Sequence, residues 1–114
     1  MKKISTVLFL ALLPFLTLMA QDTPLRLAIA GVTHDHLAEV SSRVKRGDFS
    51  IVGVYEPNDA YRRRNALAGK VDENLFYSDL DQMLDETKPE AVAAYGPISE
   101  HVAVVEACAP RGIH

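Results

Sequence analysis

Past a polar stretch at residues 21–24, short apolar runs alternate with longer stretches in which apolar residues recur every three or four positions. Leu25 to Ala30, broken only by Arg26, ends at Gly31 and predicts a buried parallel strand. His36 to Arg46 then sets Leu37, Val40 and Val44 on one helical face and stops at Gly47, a suitable residue just past a helix end. Ser50 to Tyr55 (SIVGVY) predicts a second strand, with Glu56 at its carboxyl end. Asn58 or Asp59 is placed to cap a second helix that carries Tyr61, Ala68 and the triplet Arg62, Arg63, Arg64 and ends at Gly69.

Leu75 to Tyr77 predicts a brief third strand. Ser78, with Asp81 three residues on, resembles a capping box opening a helix that turns Leu80, Met83 and Leu84 inward, and Pro89 stops that helix. Ala91 to Tyr95 (AVAAY) predicts a fourth strand, followed by a turn at Gly96 and Pro97. Ser99 is placed to cap a last helix containing Val102, Val105 and Ala109, strained by Pro110 and closed by Gly112. Four strand and helix pairs at this spacing predict an α/β fold, a doubly wound parallel sheet with helices on both faces. Ligands of such sheets sit beyond the carboxyl ends of the strands, where the strand order reverses.

The first twenty residues stand apart. Lys2 and Lys3 precede an apolar run from Ile4 to Ala20, interrupted by Ser5, Thr6, Pro14 and Thr17 and shorter than a spanning helix requires. That layout predicts a cleavable signal peptide over residues 1–20, a mature domain over residues 21–114, and a periplasmic or secreted location with no membrane attachment after cleavage. Loss of Lys2 and Lys3 leaves ten Lys and Arg against fifteen Asp and Glu, a net charge of −5. Mild acidity argues against nucleic acid or an anionic membrane surface as partner. Ninety-four residues make one small domain, and one cysteine, Cys108, excludes an internal disulfide framework.

Candidate chemistry gathers at the first turn, RLAIAGVTHDHLAEV. A G-x-G-x-x-G fingerprint begun at Gly31 requires glycine where this chain has Thr33 and His36, so one glycine of three is present. Thr33 sets a Cβ where a diphosphate would approach, and its hydroxyl is able to donate to a phosphate oxygen. Glu56, 20 residues after His36, stands where an acid accepts hydrogen bonds from the adenosine ribose; a carboxylate there favours NAD over NADP. The bland reading of Glu56 is a solvated acid, and that of the arginine triplet a solvated helix face. Asp35 competes with a phosphate if it caps the following helix. His34, Asp35 and His36 also carry metal-ligating groups, which would need a third contributor such as His101.

These residues resemble the amino-terminal domain of the glucose-fructose oxidoreductase, inositol dehydrogenase and MocA-type (Gfo/Idh/MocA) family. The likeness runs from Leu27 to His114 on RLAIAGVTHDH, IVGVYEPN, YSDLDQMLDETKPEAV and GPISEHVAVVEACAPRGIH. It implies a Rossmann-like fold and NAD(P)-dependent oxidation or reduction of a sugar or polyol-like substrate, and it allows a homo-oligomer. By position it implies that Gly31, Thr33 and His34 face the cofactor diphosphate, Glu56 the adenosine ribose, and Tyr95, Gly96 and Pro97 the nicotinamide side. Ile98 departs from the asparagine usual after that proline, and His101 matches a family histidine. The family continues into a Glu-Lys-Pro strand with a catalytic lysine and then a substrate domain. The resemblance therefore implies a sheet lacking its last strands, an absent substrate domain, and no catalytic residue in this stretch. The rival expectation is a non-redox α/β binding module holding a sugar or metal at the His34 and His36 turn.

Overall fold

The computed structural model describes residues 23–34 and 36–114; the apolar leader at residues 1–20 and Asp35 lie outside the described residues. The fold is α/β, a Rossmann-like doubly wound sheet. Four strands, β1 (Leu25–Ala30), β2 (Phe49–Tyr55), β3 (Phe76–Tyr77) and β4 (Ala91–Ala94), form one parallel sheet in the order β3-β2-β1-β4. Helices α1 (Leu37–Lys45) and α2 (Asp59–Leu67) follow β1 and β2, and α3 (Leu80–Thr87) and α4 (His101–Cys108) follow β3 and β4. Among the described residues no helix is long and apolar enough to cross a membrane.

Alternation along each strand divides the core between the two faces of the sheet. Leu27, Ile29 and Val54 pack with Leu37 and Val40 of α1 and with Tyr61 of α2. Ala28 and Ala30 on the opposite face pack with Met83 and Leu84 of α3 and with Val104 and Cys108 of α4. A bulge in β2 shifts its register against β1, Leu27 facing Ile51 and Ala28 facing Gly53. Gly53 also lets α3 lie close on the sheet, because a Cβ there would stand 2.9 Å from Met83 Cγ. Cys108 is buried as a small apolar group, and burial pushes its thiol up from the ordinary value against the weaker opposing pull of Arg111.

Three local expectations are corrected. The cap of α3 is Asp79, whose carboxylate accepts from Gln82 N–H at 2.8 Å, and not Ser78. An anionic acceptor at that position also complements the positive end of the helix. Ser99 caps nothing: Pro97, with φ −54, leads into a 3-10 turn over Ile98–Glu100, and α4 starts only at His101. Leu75 belongs to a 3-10 turn over Glu73–Leu75, which shortens β3 to two residues. On α4, Val104 and Cys108 make the packing, while Val102 and Val105 are exposed. Pro89 does stop α3: the residue before a proline is disfavoured in the helical region, and Lys88, in the left-handed region at φ 45, closes the helix.

Candidate functional site

Strand order reverses between β1 and β4, because α1 leads from β1 to a neighbour on one side while β4 lies on the other. The two loops leaving these strands meet there. Tyr95 N–H and Gly96 N–H both donate to the carbonyl of Ala30, at 2.8 and 3.0 Å, so the chain after β4 is drawn across the tip of β1. Gly31 lies against Gly96 so tightly that a Cβ at Gly31 would stand 2.4 Å from Gly96 Cα, and its φ of +87 is one that only glycine adopts without strain.

The turn after Gly31 is fastened on both sides. From β4, the carbonyl of Tyr95 accepts from Thr33 Oγ1 at 3.2 Å and from His34 N–H at 3.3 Å. From β2, Glu56 Oε2 accepts from Val32 N–H at 3.1 Å. Glu56 Oε1 accepts from Asn58 N–H at 2.9 Å. The Glu56 residue is only 3 % exposed, so it is not a solvated acid; it is a buried carboxylate satisfied by two main-chain donors. Thr33 spends its hydroxyl within the protein. The structure thus brings Gly31, Thr33, His34, Tyr95 and Gly96 together, joins Glu56 to them through Val32, and leaves Pro97 exposed where the chain leads away into the 3-10 turn.

Several contributors were not marked by sequence. Val32 and Asn58 act through main-chain amides, which carry no side-chain signature. Arg62 leaves the solvated face expected of the triplet: its guanidinium donates to the Glu56 carbonyl at 2.6 Å and to Asp59 at 3.2 Å. Arg63 pairs with Asp59, and Arg64 lies 5.1 Å over the Tyr61 ring. His101 Nε2 stands 3.1 Å from the Gly96 carbonyl oxygen and holds that loop as a ring N–H donor. His36 packs its ring 5.4 Å from that of Tyr95 and 6.2 Å from that of His34. Among the described residues no three His, Cys, Asp or Glu side chains converge as metal ligands. The neighbourhood is acidic. Burial pushes the Tyr55 phenol up, and the carboxylates of Glu100, Glu56 and Asp79 add to it.

Solved oxidoreductase structures share this geometry at the level of fold. The WlbA dehydrogenase of Bordetella pertussis, solved in complex with NADH and UDP-GlcNAcA, matches 80% of this chain at 18% identity and TM-score 0.65, over 28% of its own length. A protein assigned as an NADPH-dependent oxidoreductase from Desulfitobacterium hafniense matches 80% at 21% identity and TM-score 0.65, over 26% of its length. An oxidoreductase from Sinorhizobium meliloti matches 80% at 21% identity and TM-score 0.61, over 28% of its length. The likeness is one of fold. The chain spans about a quarter of the length of these proteins. No family model and no curated protein matches the sequence.

Proposed function

We propose that the chain is the nucleotide-binding part of an exported NAD-dependent oxidoreductase of the Gfo/Idh/MocA type that acts on a sugar or polyol-like substrate. The observation that carries this reading is the meeting of the Gly31 turn with the β4 loop where strand order reverses, with an acid at the tip of β2. A dinucleotide lies across such a reversal, its diphosphate beside the first turn and its adenosine over the second strand. The residues present fit that ligand. Gly31 and Gly96 let the two loops meet closely beside the strand tips, and in this reading Thr33 and His34 border the diphosphate and Tyr95, Gly96 and Pro97 the nicotinamide.

In this reading Glu56, at the tip of β2, is the acid that meets the ribose, and its negative charge, disfavouring a 2′-phosphate, supports NAD over NADP. The fold neighbours include one solved with NADH and one assigned to NADPH, and the first also holds a sugar nucleotide. When bound, the nicotinamide ring supplies hydride transfer; this chain's residues bind and orient it. The apolar leader at residues 1–20 supports export.

Calorimetric titration of the full chain with NAD and NADP tests the reading. NAD is expected to bind about tenfold or more tightly than NADP, and Glu56→Gln, which removes the charge at nearly constant volume, is expected to narrow that ratio. Absence of NAD binding, or equal affinity for the two, overturns it. Mass spectrometry of the exported product is expected to find a new amino terminus near Gln21.

A further inference from the structure

The His34 to His36 segment is the part of the turn that the glycine pattern leaves unexplained. A glycine-rich turn grips a diphosphate with main-chain amides directed at the ligand. Here three of those donors are turned inward. Gly31 N–H donates to the Tyr55 carbonyl at 2.7 Å, Val32 N–H to Glu56, and His34 N–H to the Tyr95 carbonyl, which also takes the Thr33 hydroxyl. With Glu56 and Glu100 close by and three amides spent, an anion at this turn gains from side-chain donors. Two imidazoles stand on this turn, both exposed, with ring centroids 6.2 Å apart and tilted by 39°. The ring of Tyr95 supports His36 from the β4 side at 5.4 Å.

We propose that His34 and His36 grip the diphosphate of the dinucleotide as a pair, their ring N–H groups replacing the main-chain donors that this turn spends on Glu56, Tyr55 and Tyr95. The pair offers one ring to each phosphoryl group, and it accounts for a histidine standing where the fingerprint has its third glycine. The inference rests on the nucleotide reading above and adds to it the residues that hold the phosphates.

Titration of the full chain with ADP-ribose and, separately, with adenosine tests it. Wild-type chain is expected to bind ADP-ribose more tightly than adenosine. The double variant His34→Ala/His36→Ala is expected to lose about a hundredfold in ADP-ribose affinity, roughly tenfold for each charge-assisted hydrogen bond, with adenosine affinity unchanged. The double variant His34→Gln/His36→Gln retains side-chain N–H donors and is expected to recover most of the loss. ADP-ribose affinity within about twofold of wild type in the alanine variant overturns the paired grip while leaving the nucleotide site standing. Equal loss of adenosine binding also overturns it, since the rings would then be structural. Failure of wild-type chain to bind either compound overturns both the grip and the nucleotide reading.

Discussion

Gly31 concentrates the local demands of the crevice into one position. Its φ of +87 disfavours any side chain, and the space a Cβ would fill is already taken by the backbone of Gly96. Gly47 has a similar φ, +83, but open space around it. Alanine at Gly47 is therefore expected to cost about 1 kcal/mol through the backbone alone. Alanine at Gly31 is expected to cost about 3 kcal/mol or more, because the overlap falls on main chain that no rotamer change relieves. Denaturant unfolding of the two variants checks the contrast, and equal midpoints would show that the β1 and β4 loops are not in rigid contact. At this scale the sequence marked Gly31 and Glu56 correctly as strand-end residues, since position at a strand tip follows from the apolar run before it. It did not disclose that Glu56 is buried on Val32 and Asn58, nor that Thr33 turns to Tyr95. Those bonds depend on how loops 24 and 62 residues apart are brought together, which local pattern does not encode.

Elements were legible wherever a periodic face or a helix breaker was strong, and least so at helix starts. Met83 and Leu84 face inward as their spacing predicts, and Gly47 and Gly69 lie just past α1 and α2. The cap of α3 falls one residue past Ser78 because Ser78 and Asp79 are adjacent good acceptors, and only the backbone angles decide which of them turns back onto the helix. Asp79→Ala is expected to lower stability by about 1 kcal/mol, whereas Ser78→Ala is expected to stay within about 0.5 kcal/mol of wild type. Thermal unfolding followed by circular dichroism distinguishes them; the reverse order would restore Ser78 as the cap. In α4 the apolar residues of HVAVVEAC are spread around the helix with no dominant face, so its periodicity could not select Val104 and Cys108 over Val102 and Val105.

The fold class was readable as a whole because four strand and helix pairs leave few ways to close a parallel sheet, yet the ties between neighbouring helices on one face were not. One such tie is Arg111, which follows α4 and reaches back to α3. Its guanidinium bonds Asp85 at 2.8 Å and Asp81 at 3.0 Å, and also donates to the Ala107 carbonyl at 2.8 Å. The hydrogen bond from Arg111 holds the Asp85 carboxyl below its usual value, and the same pair raises Arg111 above its own. A carboxyl depressed in the folded state contributes stability above its unfolded value near pH 4 and loses that contribution as pH falls through the folded value. Both aspartates are well exposed, so the contribution is screened and small. Arg111→Ala is therefore expected to unfold at lower denaturant than wild type at pH 7. The gap should narrow as the pH falls below about 4, without vanishing, since the bond to the Ala107 carbonyl does not titrate. A gap equal at both pH values would assign the whole effect to that carbonyl bond and none to the ion pairs joining α3 to the end of α4.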